Sequence, residues 1–277
     1  MASYLRPRAL SDALQALSLA PRVILAGGTD FYPARVGRPL DDDVLDITAL
    51  PSLRAIETTN EGWRIPALCT WADLAGAELP PLFDGLKAAA REVGGVQVQN
   101  AGTLCGNLCN ASPAADGIPN LLALDAEVEL ASLRGTRCVP IGAFVEGNRR
   151  TARNPDELVV AVRIGRRPAA ARGVFRKLGA RRYLVISIVM VAAVAEVADG
   201  RIASAAVAVG ACSPVARRLP ALEAALAGRP ADAQLGDVVQ PVHLADLTPI
   251  DDVRARAAYR ADAALTLVRR ALAGLAT

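Results

Sequence analysis

The chain has one histidine, His243, in 277 residues. A His-rich zinc or iron centre and an H-E-x-x-H metalloprotease both need more imidazoles than that. No G-x-S-x-G turn is present to expose a serine nucleophile. Neither G-x-G-x-x-G nor G-x-x-x-x-G-K-[ST] occurs, so a nucleotide cofactor would need another loop design. Aromatic residues make up only 4% of the chain, too few for a surface built on stacked bases. Neither sign of charge dominates: 31 Lys+Arg face 28 Asp+Glu, a formal +3, which argues against nucleic acid or an anionic membrane as the main partner. The longest apolar run, 185–194, broken only by Ser187, is too short to span a bilayer, and the N-terminus has no signal-peptide core. Cysteines 69, 105, 109, 138 and 212 form no C-x-x-C pair and read as buried, reduced thiols. The expectation is a soluble, cytoplasmic protein without a membrane span.

What is present is globular. Apolar residues make up 52% and charged residues 21%, in a chain long enough for one large or two modest domains. Ser11 can cap a helix over 12–19, and Val23-Ile24-Leu25-Ala26 is a buried-strand run ending on Gly27-Gly28. With a strand at 44–47 this closes a β-α-β-type unit near residue 58. A second unit starts with a strand at 63–66, Thr70 caps a short helix to 75, and Pro81 opens a helix to about 93. Residues 94–116 lack periodicity and read as one long functional loop. A helix over 114–124 and strands at 127–131, 137–141 and 157–164 follow.

Beyond a connector at 168–171, strands are expected at 173–178, 189–197 and 202–210, the last two joined by an Asp199-Gly200 hairpin turn. A helix is expected over 215–226. Another, capped by Asp251 or Asp252, runs to 275 with Val253, Ala257, Leu265, Val268 and Leu272 on its apolar face. The domain boundary therefore falls near 168, between two α+β units.

Three segments can carry chemistry. Ala26, Gly27, Gly28, Thr29 and Asp30 follow a buried strand, where consecutive glycines let amides converge on an anion such as a pyrophosphate. An ordinary Gly-Gly turn has the same pattern. Residues 102–107 and 110–116 crowd glycine, asparagine, threonine, serine and Asp116 together, which suits a sugar-phosphate chain or a polar loop held by its own Asx turns. From Arg149 to Arg182 basic residues outnumber the two local acids, Asp156 and Glu157, so the stripe is a solvated face, a docking surface or a set of phosphate contacts.

In this order and spacing the segments resemble the FAD-binding medium subunit of the molybdenum hydroxylases, the family of xanthine dehydrogenase and carbon monoxide dehydrogenase. Residues 26–30 match its first flavin loop, A-G-G-T-D. Residues 97–116 are similar to Q-I-R-N-R-G-T-I-G-G-N-x-x-N-A-S-P-A-A-D, and 175–187 to F-x-K-x-G-R-R-x-x-D-I-A. Asp251-Asp252-Val253-Arg254 resembles a D-V-R start of the closing helix. Gln99 and Ala101 stand where the family often has arginines, Cys105 replaces a glycine, and Leu184-Val185 replace polar positions.

The resemblance implies an α+β chain. A two-lobed FAD-binding fold of the vanillyl-alcohol-oxidase (PCMH) type would occupy 1–167, with lobes at about 1–58 and 59–167. A smaller α+β C-terminal domain of the carbon monoxide dehydrogenase flavoprotein type would occupy 168–277. Carried over by position, Ala26 to Asp30 and Thr103, Leu104, Cys105, Gly106 and Asn107 would hold the pyrophosphate and ribityl regions of a non-covalent FAD. Asp116 would accept from a flavin hydroxyl, the strand backbone at Val159 would touch the cofactor, Lys177 would contact the ring and Ile186 would pack near its reactive face. No catalytic side chain and no metal are implied on this chain. Molybdopterin and [2Fe–2S] clusters would sit on a large and a small partner subunit, in a dimer of heterotrimers. The implied function is electron transfer from those clusters through FAD to an external acceptor. A free-standing oxidase or reductase of the same fold, and a flavin-free scaffold subunit, are the alternatives.

Overall fold

The computed structural model describes residues 2–275. The N-terminal lobe is a three-stranded parallel sheet of β1 (Tyr4–Leu5), β2 (Val23–Leu25) and β3 (Val44–Asp46), in the order β1-β3-β2. Helix α1 (Leu10–Leu19) connects β1 to β2 and buries Ala13, Leu14, Ala16 and Leu17. It begins one residue before Ser11, and no side chain caps it. Ser11 instead donates to the neighbouring Asp12 carboxylate.

The second lobe is a five-stranded sheet of β4 (Glu57–Thr58), β5 (Gly62–Pro66), β6 (Glu127–Ser132), β7 (Gly135–Pro140) and a later strand at Leu158–Gly165, which lies centrally between β5 and β6. Between β5 and β6 the chain forms α2 (Trp71–Gly76), α3 (Asp84–Glu92), α4 (Val96–Ala101), α5 (Leu104–Asn110) and α6 (Gly117–Ala123). Thr70 and Asp73 close a capping box on α2, as the sequence suggests. The stretch expected as one long loop, 94–116, instead contains α4 and α5. Each is only two turns long and Gly102 separates them, so neither is long enough to show a helical repeat. After β7 come α7 (Ile141–Phe144) and a small hairpin of β8 (Val145–Gly147) and β9 (Arg150–Thr151); the central strand Leu158–Gly165 is β10.

The C-terminal part is a four-stranded antiparallel sheet, β11 (Arg172–Leu178), β12 (Val189–Ala198), β13 (Arg201–Gly210) and β14 (Arg217–Arg218). Asp199 and Gly200, at φ 51° and 70°, make the expected tight turn between β12 and β13. The long apolar run around 189–194 is explained by burial on both faces. Met190, Ala192 and Val194 of β12 join the core shared with the second lobe, whereas Val189, Val191, Ala193 and Ala195 join a second core under α8 (Pro220–Leu226) and α9 (Ala257–Ala273). Among the described residues no helix is long and apolar enough to cross a membrane.

Two expectations in this part are corrected. Residues 215–219 are not helical, because 217–218 pair with β13 and the helix waits for Pro220 at its first turn. The closing helix starts at Ala257, so Val253 is fully exposed rather than on an apolar face. Asp251 still accepts from the amide of Ala257, but Asp252 pairs with Arg254 and the buried Arg260.

Candidate cofactor cleft

Strand β2 delivers the first glycine segment. Gly28 is left-handed at φ 72°, and its carbonyl accepts from the amide of Tyr32. A Cβ on Gly27 would lie 1.8 Å from the Ala101 carbonyl oxygen, and one on Gly102 would lie 3.1 Å from Thr29 Oγ1. The two glycine segments therefore pack directly on one another, and only hydrogen fits between them. The second segment is held by its own caps. Thr103 Oγ1 accepts from the amide of Gly106 at 2.9 Å, Gly102 accepts from Trp71, and Asn107 Oδ1 accepts from Gly117.

Between these segments opens a cleft of about 530 Å³, within the size range of small-molecule sites. Ala26, Gly27, Gly28, Thr29, Asp30, Thr103, Cys105, Gly106, Asn107 and Val159 all line it. Among the described residues, the amides of Gly27, Gly28, Thr29 and Asp30 donate to no acceptor. Clustered donors of this kind in a glycine turn suit a diphosphate, so the residues fit the flavin dinucleotide that the sequence suggested. Leu104 does not line the cleft. Its side chain is fully buried in the core and its amide bonds to the Cys69 carbonyl.

Asp116 and Lys177 also lie off the cleft lining, and they meet each other. Lys177 Nζ donates to Asp116 Oδ2 at 2.6 Å, and Ser187 Oγ donates to Asp116 Oδ1 at 2.5 Å. Both charged side chains are buried, and two opposite charges held out of water neutralise each other. Burial pushes the Asp116 carboxyl up, against the opposing pull of Lys177 and Ser187. Arg254 donates to the Ser187 carbonyl and fixes the same segment from the C-terminal side. Ile186 stands beside this pair but is exposed, as are Tyr183 and Leu184, and Leu184 closes against Gly95 ahead of α4.

The cleft is also lined by residues that the sequence reading missed, among them Arg22, Phe31, Arg35, Trp71, Arg149 and Arg153. Arg149 and Arg153 fall inside the basic stripe, which the fold partly neutralises. Arg149 pairs with Asp30, Arg163 with Glu61, and Arg167 with Asp125 and Glu196, while Arg153 donates to the carbonyls of 154, 155 and 157. The carboxylates that pair with Arg149, Arg163 and Arg167 come from distant sequence, which is why the local acid count suggested a free basic face. Cys69 and Cys105 are buried, and burial pushes the Cys69 thiol up to about 12 and Cys105 well above the usual thiol range. Cys109 and Cys138 are exposed, contrary to the expectation of burial throughout. Among the described residues no His, Cys, Asp and Glu group could hold a metal.

Residues 1–166 match the family model described as the FAD binding domain in molybdopterin dehydrogenase. The chain belongs to that family. Residues 174–275 match the carbon monoxide dehydrogenase flavoprotein C-terminal domain, which completes the fold of an FAD-binding region followed by a second α+β part. Membership makes the chain an oxidoreductase flavoprotein subunit with FAD as its cofactor. Over 276 residues it is 29% identical to a putative xanthine dehydrogenase FAD-binding subunit of Escherichia coli, covering 98% of this chain and 94% of the relative. Over 196 residues it is 35% identical to the nicotinate dehydrogenase FAD-subunit of Eubacterium barkeri, covering 67% of this chain and 66% of that one. Reconstituted carbon monoxide dehydrogenase from Oligotropha carboxidovorans superposes with a TM-score of 0.89 at 25% identity, covering 98% of this chain and 96% of its own.

Proposed function

We propose that this chain is the electron-transfer subunit of a molybdenum hydroxylase and that it binds one FAD non-covalently in the cleft. The observation that carries this reading is the row of unpaired amides at 27–30, backed directly by the second glycine segment. Those amides, with Ala26, Thr103, Cys105, Gly106 and Asn107, would hold the diphosphate and ribityl chain, and Val159 would offer strand backbone to the cofactor. Leu104 would support that loop from the core. Lys177 keeps donors beyond the one given to Asp116, so Asp116 serves as its counter-ion and Lys177 as the group turned toward the ring. Ile186 would supply apolar cover.

When bound, the flavin supplies the redox chemistry, linking one-electron iron–sulfur clusters to an external acceptor. The chain's own residues bind it, orient it and set the charge around it. Molybdopterin and [2Fe–2S] clusters belong, in this reading, to a large and a small partner subunit arranged as a dimer of heterotrimers. The free thiols suit the reducing cytoplasm.

Flavin analysis of the purified full chain tests the cofactor. One FAD per chain should be found, and acid precipitation should release all of it to the supernatant. A yellow pellet, or FMN in place of FAD, would overturn the assignment, since FMN has no diphosphate for the first loop to hold.

A further inference from the structure

One residue outside the two glycine segments is tied to both. Arg149, at the turn between β8 and β9, donates from its two terminal guanidinium nitrogens to Asp30, at 2.9 and 3.2 Å. Its amide donates to the carbonyl of Ala111, the residue that ends α5. The side chain thus reaches the first glycine loop while the backbone is anchored to the helix that carries the second.

Both anchor points are strained. Arg149 has φ 57° and Ala111 has φ 47°, the left-handed region that residues other than glycine rarely hold. Strain of this kind persists only where the surroundings impose it, and it clusters at functional sites. The hairpin turn and the end of α5 use these conformations, and the Arg149–Asp30 side chains, 59% and 47% exposed, add little to fold stability as a pair. The electrostatics of the cleft offer a reason for the pair. Asp30 puts a carboxylate next to the unpaired amides that suit a diphosphate, and an uncompensated negative charge there would repel the ligand. A bidentate guanidinium cancels that charge and fixes the direction in which the carboxylate points.

We propose that Arg149 is a positioning residue for cofactor retention: it neutralises Asp30 and staples the first glycine loop to the end of α5, so that both loops meet the diphosphate at a fixed spacing. This rests on the FAD reading above.

Arg149→Gly in the full chain is the informative variant, because glycine takes the left-handed turn without strain. Its apo form should melt at the wild-type temperature or above. Its equilibrium dissociation constants for FAD and for ADP should both rise by about tenfold or more, the scale of losing charge-assisted bonds. Arg149→Gly combined with Asp30→Asn should bind ADP more tightly than Arg149→Gly alone, since no carboxylate is then left to neutralise. Wild-type affinity within about twofold in Arg149→Gly would overturn the staple and leave the FAD reading intact. A double variant no better than the single would also overturn it. A steep fall in the apo melting temperature would assign Arg149 a structural role instead. Failure of the wild-type chain to bind FAD would remove the FAD reading, and the staple with it.

Discussion

Lys177 and Asp116 come from positions 61 residues apart and meet at 2.6 Å, both nearly sealed from solvent, with Ser187 on the carboxylate's other oxygen. This contact joins β11 of the C-terminal part to the start of α6 in the second lobe. It therefore ties the C-terminal sheet to the second lobe. Glu92 lies close enough to feel both charges, and its own carboxyl is pushed up by burial, with Asp116 adding to the rise and Lys177 opposing it.

Lys177→Met should unfold more readily than wild type in urea, by about 3–5 kcal/mol near neutral pH, the usual cost of leaving one buried charge unpaired. The abandoned Asp116 can reduce that cost by taking up a proton, because burial already raises its pKa. The penalty should thus be smaller at pH 5 than at pH 8. Lys177→Met with Asp116→Asn should cost clearly less than the two single changes added together. A pH-independent penalty would mean that Asp116 stays ionised without its partner.

The first glycine loop separates two effects that the sequence could only merge. Gly28→Val introduces a β-branched residue at φ 72° with its Cβ 2.6 Å from the exposed Tyr32 ring, which can swing aside. This variant should fold, with a stability loss of about 1–2 kcal/mol, yet bind FAD at least about tenfold more weakly. Gly27→Val meets the Ala101 backbone instead, which cannot yield without parting the two glycine segments. It should lose flavin and stability together. Equilibrium denaturation alongside flavin titration distinguishes the two, and full flavin occupancy in Gly28→Val would show that the loop is misassigned.

Local patterns were enough to read much of this from the sequence. The 189–197 and 202–210 strands, their Asp199-Gly200 turn and the Thr70 cap all depend on neighbours within a few residues, and they stand where expected. The Gly27-Gly28 turn after β2 was legible for the same reason. What could not be read depends on distance along the chain. Helices α4 and α5 are too short to show a period, the 217–218 strand exists only because β13 lies beside it, and Arg149 looked like part of a free basic face because its carboxylate is 119 residues away. Asp116 and Lys177 were each assigned a role towards the flavin, and no local pattern shows that they face one another.

Glu157 sets an acid limit on the fold close to the cleft. Its carboxylate, 4% exposed, accepts from Arg137 at 2.6 and 2.8 Å and from the Asn154 amide, just ahead of the β10 residues Leu158 and Val159 that line the cleft. Those bonds lower its pKa from an ordinary 4.5 to about 2. A lowered carboxyl stabilises the fold above pH 4.5, and the contribution fades as pH falls towards 2. The shift corresponds to at most about 3 kcal/mol, reduced because Arg137 is partly open to water. Glu157→Gln should flatten the stability-against-pH curve in that window and lower stability at pH 7. An unchanged slope between pH 4.5 and 2 would mean that other carboxylates govern acid unfolding.

The last expectation concerns partnership, and it follows from what surrounds the proposed flavin ring. A flavin that turns over its own organic substrate needs an acid or base placed beside it. Here the adjoining segment offers Tyr183, Leu184, Val185, Ile186 and Ser187, largely apolar, and Ser187 is already committed to Asp116. Several nearby charges are also engaged: Lys177 pairs with Asp116, Arg181 donates to the Leu184 carbonyl, and Arg182 lies over the Tyr183 ring. Tyr183, Leu184 and Ile186 are all more than half exposed in the chain alone, an apolar surface that water covers poorly. The FAD-loaded chain by itself should therefore oxidise no organic substrate, and flavin reduction should require a [2Fe–2S] protein and a molybdopterin protein. Affinity purification from the native host should recover all three. Charge substitution of Tyr183, as Tyr183→Asp, should weaken that association. Steady turnover by the isolated chain, free of molybdenum and iron, would instead establish a free-standing flavoenzyme.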